Sequence, residues 1–106
     1  MATCLDWTNP QVGQIVYQPF YPQVPGRIIE VLGPTREGGS SKRVRVHWLK
    51  PVKVYYAIGG PDKNERVTES VHDALGLNDF TSLVESTERK ALNHRMMLEK
   101  ARKIAG

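Results

Sequence analysis

Apolar and polar residues alternate through the first half of the chain with a period of two, the spacing of β-strands that cover one face. In residues 14–17, Ile15 and Tyr17 fall on one side and Gln14 and Val16 on the other. Gly13 just before them suits a tight turn. Residues 27–32 hold Ile28, Ile29, Val31 and Leu32, too apolar for clean alternation, so this second strand is expected to be covered on both faces for part of its length. Residues 43–49 alternate most clearly. Val44, Val46 and Trp48 form an apolar row, and Arg43, Arg45 and His47 form a basic one. Pro51 is expected to end that strand. A fourth strand is predicted over residues 52–58, with Val52, Val54 and Tyr56 on one face and Lys53 and Tyr55 on the other. Residues 65–68 read either as a short fifth strand or as the run-in to a helix.

From Thr68 the period lengthens. Thr68 or Ser70 is placed to cap a short helix running through Leu75, with Gly76 past its end. Asn78 or Asp79 is placed to cap a long helix of about 25 residues, roughly 38 Å. Its apolar or small positions include Phe80, Leu83, Val84, Ala91, Leu92, Leu98, Ala101 and Ile104. Glu85 and Glu88 lie early, whereas Arg95, Lys100, Arg102 and Lys103 lie late, in keeping with the helix dipole. Two readings stand for the distal half: it folds back on the strands, or it projects and meets a partner. Met96 and Met97 on a basic helix suit an adaptable interface. On the projecting reading, loss of residues 92–106 leaves the strands folded.

The strands are separated by turn-forming stretches. Pro25-Gly26 reads as a turn into the second strand, Gly38-Gly39-Ser40-Ser41 as a flexible loop, and Gly59-Gly60-Pro61-Asp62 as a strong turn. The chain therefore divides into a leader (residues 1–12), a β module (13–67) and a helical extension (68–106). Trp7 is the large apolar group of the leader and is expected to dock on the β module. Phe20 and Tyr21, held among prolines, either cap one end of the module or present a partner-binding surface.

At 106 residues there is room for one domain. A net charge of +4 and a pI of about 9.4 favour an anionic partner. The single cysteine, Cys4, supports no internal disulfide and is simplest in a reducing, cytoplasmic setting or in a particle assembled there. No apolar run approaches the roughly 20 residues of a membrane span, and no secretory leader is read at the N-terminus. His47, His72 and His94 are far apart and no cysteine cluster accompanies them, so no metal site is expected. The glycine-rich loop lacks the Gly-Lys-Ser/Thr ending of a phosphate-binding loop. No nucleophile elbow is present. Catalysis and a cofactor are not expected.

Gly13, Val16, Tyr17, the Pro25-Gly26 turn, Val31, and the strand of Val44, Val46 and Trp48 together resemble the SH3-like barrel superfamily, and within it Tudor, PWWP and KOW-type modules. The resemblance spans residues 11–58 and is at the level of fold. It implies a small SH3-like β-barrel; the short helix and the long C-terminal α-helix read from the period lie outside that pattern, so the whole chain is expected to be mainly β with α. It also implies binding without catalysis, whether of methylated side chains in an aromatic cage, of RNA or its polymerase partners, or of neighbours in a phage particle.

Within that frame the leading expectation is a nucleic-acid site on the basic strand face. Arg36, Lys42, Arg43, Arg45, His47, Lys50 and Lys53 supply cations for phosphates, and Tyr55 a stacking platform. The alternative is a structural assembly protein, a small component of a virus particle or other large complex, docking through its terminal helix with Leu92, Arg95, Met96, Met97 and Lys100. Tyr17 and Tyr21 are further candidate stacking platforms beside Tyr55, and of the aromatic group Trp48 and Tyr56 are more economically explained as core than as a cage for a cation.

Overall fold

Period-two alternation yields strands over three of the stretches that the sequence marks, residues 14–17, 27–32 and 43–49. In the computed structural model the described residues are 5–19, 23–34, 38–39, 41–54, 65–83 and 85–104. Strands β1 (Ile15–Tyr17), β2 (Gly26–Pro34), β3 (Lys42–Lys53), β4 (Arg66–Asp73) and β5 (Asn78–Asp79) form one antiparallel sheet in the order β4-β3-β2-β1-β5. A single α-helix, α1 (Glu88–Arg102), follows. The architecture is mixed and mainly β. The sheet is open: β4 and β5 are its two edges, and among the described residues nothing pairs them into a closed barrel.

The inner face carries the main core. Val16, Ile28, Val44, Val46, Trp48 and Val52 are buried there, with Ala74 and Leu77 beyond β4. The leader contributes as well: Leu5 is buried in this cluster and Trp7 packs against it. The Trp7 carbonyl also accepts a hydrogen bond from the Lys42 amide, which ties the leader to the start of β3. Gly26 does not make a turn; it opens β2. A Cβ there would lie 2.6 Å from both Trp48 and Val46, so glycine is required by the close approach of the Trp48 ring.

Three expected elements come out differently. Pro51 does not end the third strand, because the β3–β4 ladder shifts register between His47 and Val52. A residue without an N–H is tolerated at such an irregularity. Val52 and Lys53 thus close β3, and residues 55–58 of the expected fourth strand lie outside the described residues.

The short helix ending at Leu75 is instead strand β4, followed by one 3-10 turn, Ala74–Gly76, capped by Asp73. Its inward positions are Ser70 and His72, both buried. Polar residues at inward positions conceal the alternation. They are there because the Trp48 indole needs a partner: its Nε1–H donates to Ser70 Oγ at 2.8 Å, and Ser70 Oγ is in turn hydrogen-bonded with His72 Nε2 at 2.6 Å. The His72 ring meets Trp48 edge-on, with centroids 5.6 Å apart. Burial pushes the His72 pKa down to about 4, so the imidazole is neutral near pH 7.

The long helix starts later than expected. Asp79 caps a separate 3-10 turn, Phe80–Ser82, by accepting from the Thr81 amide. Asn78 and Asp79 pair with β1. The chain then restarts at Thr87, whose hydroxyl accepts from the Lys90 amide and caps α1. At 15 residues α1 is about 22 Å long, short enough to lie on the sheet.

It does fold back. Ala101 is fully buried with Ile15, Tyr17 and Phe80, and Met97, Leu98 and Ile104 pack around them. Tyr17 meets the Phe80 ring edge-on at 5.7 Å. His94 stacks on Phe80 at 4.3 Å and donates Nε2–H to the Phe80 carbonyl at 2.7 Å. Arg27 hydrogen-bonds the Ile104 carbonyl just past the helix end. The distal half of the helix therefore folds back rather than projecting: Ala101 and Ile104 cover the outer side of β1, which a chain lacking residues 92–106 would leave bare.

Candidate interaction surfaces

Two solvent-facing surfaces carry cations. On the outer side of the sheet, Arg43, Arg45 and His47 emerge in one row, as alternation in β3 requires. Arg45 and His47 are matched locally by acids, and Arg43 by a carbonyl. Arg45 Nε lies 3.0 Å from Glu30 Oε1 on β2, and Arg45 also reaches Glu69 on β4 at 4.0 Å. His47 Nδ1 sits 3.4 Å from the other Glu69 oxygen. Arg43 donates Nε–H to the Gly33 carbonyl at 3.3 Å. Half-exposed pairs of this kind contribute about 0–1 kcal/mol each to stability, but they cancel much of the field a phosphate backbone would feel.

The other expected nucleic-acid contacts do not join this row. Lys42 sits at the first position of β3, on the side of Val44 and Val46. Lys50 lies within the irregular stretch between His47 and Val52 and lines a cleft against α1. Lys53 is exposed at the far end of the strand, opposite Arg66. Arg36 and Tyr55 lie outside the described residues, as do Phe20 and Tyr21.

The second surface is the outer side of α1. His94 and Ala101 mark the buried side, seven residues apart. At 100° per residue, Leu92 and Met96 fall directly opposite. They are 50% and 48% exposed, large values for apolar side chains. Arg89, Arg95, Lys100, Arg102 and Lys103 surround them, with Lys90 nearer the sheet, against only Glu88 and Glu99. None of these six cations forms an ion pair with another described residue. Leu92, Met96, Arg95 and Lys100 thus share one exposed surface. Met97 does not; it turns inward onto the Phe80 cluster.

A cleft of about 520 Å³ separates α1 from the sheet. Val24, Phe80 and Met97 line it, with Lys50, Lys90 and His94. Sequence reading missed it because its walls come from four separate stretches and no local motif announces it. Among the described residues no group of His, Cys, Asp and Glu is placed to hold a metal ion, and no helix is long and apolar enough to cross a membrane. Comparison with protein-family models, with curated proteins and with solved structures finds no match.

Proposed function

We propose that this chain is a non-enzymatic interaction module that docks an acidic partner protein through the outer side of α1, as a component of a larger assembly. The observation that carries this reading is the contrast in charge matching. On the strand face Arg45 and His47 are answered by Glu30 and Glu69, whereas the cations on α1, around exposed Leu92 and Met96, form no ion pair with another described residue. Exposed apolar anchors ringed by one sign of charge suit a partner with apolar side chains inside an acidic rim. A nucleic acid would use the cations but not the apolar pair.

The fold reading that accompanies this is an SH3-like barrel left open. Its support is the short β5, which returns past a 3-10 turn to pair with β1 and curls the sheet around the Trp48 core. An intracellular or particle-bound setting belongs to the same proposal and rests on the lone cysteine.

The test is affinity capture from the native host, with and without nuclease, comparing the parent with a Leu92→Ser, Met96→Ser variant. A specific protein should be held by the parent after nuclease treatment and released from the variant. Retention that nuclease abolishes returns the reading to nucleic acid; equal retention by both proteins removes α1 as the docking surface.

A further inference from the structure

α1 carries two neighbouring methionines and places them in opposite settings. Met96 is exposed and stands with Leu92, one turn away, at the centre of the outer surface. Met97, the next residue, packs inward against the cluster of Phe80 and Ala101. A helix turns by about 100° per residue, so a step of one position carries a side chain from solvent to sheet. Among the described residues the exposed large apolar side chains are Val12, Leu75, Leu92 and Met96. Met96 is the one of these that an oxidant converts from apolar to polar, because a thioether sulfur takes up an oxygen atom.

We propose that Met96 is a reversible oxidation site that switches off docking at the outer surface of α1. This regulation rests on the docking role of α1 proposed above. The co-reactant is a peroxide. A sulfur lone pair attacks the terminal oxygen of hydrogen peroxide; the S–O bond forms as the O–O bond breaks. The proton on the transferred oxygen passes to the departing hydroxide, which leaves as water. Sulfur loses two electrons and the peroxide gains them. A dithiol reductase reverses the change: the oxygen leaves as water and two thiols become a disulfide. Lys100, four residues on, neighbours Met96 on the helix surface, with Glu99 on its other side.

The added oxygen has different consequences in the two states. In the free protein it stays in water and the core is untouched. In the docked state it is pressed against apolar groups of the partner, where an oxygen without a hydrogen bond is costly. Oxidation of Met96 therefore acts on docking and not on folding. By linkage, a bound partner shields Met96 from the oxidant. The same oxygen on Met97 would enter the Phe80 cluster and loosen α1, which is damage and not control.

The experiment treats the full chain with dilute hydrogen peroxide, removes the peroxide and digests with trypsin. Cleavage after Arg95 and Lys100 releases both methionines in one peptide, whose fragment ions assign the oxygen. Met96 should oxidise at least about fivefold faster than Met97. Helix content should be unchanged by circular dichroism, and methionine sulfoxide reductase with dithiothreitol should restore the thioether. Equal rates, or loss of helix with the first oxygen, overturn the proposal. The oxidised chain then serves for affinity capture from nuclease-treated host lysate. It should hold about tenfold less partner than the untreated chain, and reductase should restore the difference. Capture by Met97→Leu should fall in the same way on oxidation. Capture by Met96→Leu, whatever its level, should be the same before and after peroxide. Met1 and Cys4 remain in that variant, so a fall there would place the effect elsewhere and overturn the proposal. Undiminished capture by the oxidised parent sinks the switch alone if the Leu92→Ser, Met96→Ser variant still loses its partner. If that variant holds as much as the parent, the docking role fails and the switch falls with it.

Discussion

The outer face of the sheet carries a short basic row and the outer face of α1 a larger basic set, and the two are treated in opposite ways. On the sheet, cross-strand neighbours bring Glu30 and Glu69 to Arg45 and His47, so charge is balanced where it arises. On α1, beside Glu88 and Glu99, the basic side chains form no ion pair with another described residue, and two apolar side chains stand among them. A count of arginines and lysines therefore misplaces the binding surface. What matters is which cations have been answered inside the fold.

The harshest way to break this contrast is to remove what both surfaces stand on. Trp48 is nearly fully buried, fills the inner face and donates to Ser70. Trp48→Ala should lower stability by about 3–5 kcal/mol, most of the margin of a small domain, and both surfaces should be lost together. A denaturant midpoint close to the parent's would show that the core is centred elsewhere. Ala101→Glu is more selective, placing a charge among Ile15, Tyr17 and Phe80. It should cost about 3 kcal/mol, and amide exchange should show α1 losing protection while β3 and β4 keep theirs. Equal loss in all three would mean that the two surfaces are not separable.

Acid acts from the strand side. The His72 pKa is lowered from 6.5 to about 4 by burial, so the unfolded chain takes up a proton at higher pH than the folded one. The stability contributed by the neutral ring is complete above pH 6.5, falls as pH drops toward 4, and is flat below that. The full loss is about 3 kcal/mol. Urea midpoints measured from pH 7 to pH 4 should trace this fall, and His72→Asn should remove most of it. A parent midpoint that does not move over that interval would mean that the imidazole is reached by water.

The gentlest probe sharpens the comparison most. Glu30→Gln with Glu69→Gln frees Arg45 and His47 while changing stability by no more than about 1 kcal/mol. Binding of a short RNA or DNA should then gain about one unit in the slope of log K against log salt. Conversely, Arg43→Ala with Arg45→Ala in the parent should leave that slope nearly unchanged. A change of about two units there would make the strand face the site after all.

These elements differ in how plainly the chain announces them. Val44, Val46 and Trp48 alternate with arginines, and that row alone locates the main core. β4 was hidden because its inward side chains are Ser70 and His72, whose burial is explained only by the indole they serve. The helix start was misplaced because Phe80 is apolar at helical spacing from Leu83 yet belongs to a separate 3-10 turn. The second cluster joins positions 15, 17, 80 and 101, and no window of sequence contains them all. The acids opposite Arg45 were equally invisible. Their meeting depends on strand register, including an irregularity in β2 between Ile28 and Glu30.

The cover that α1 gives to β1 also sets a clock on biosynthesis. Ile15 and Tyr17 emerge from the ribosome early, and Ala101, which shields them, emerges late. At about 5–20 residues per second the interval is on the order of 10 s. Through that time the nascent chain bears a bare apolar strip next to a sheet whose inner face has already begun to close. A chaperone that holds extended apolar segments should therefore engage once β1 is out and leave when α1 arrives. Profiling of chaperone-bound ribosomes along the message would show that rise and fall, and its absence would mean that the strip finds temporary cover within the chain.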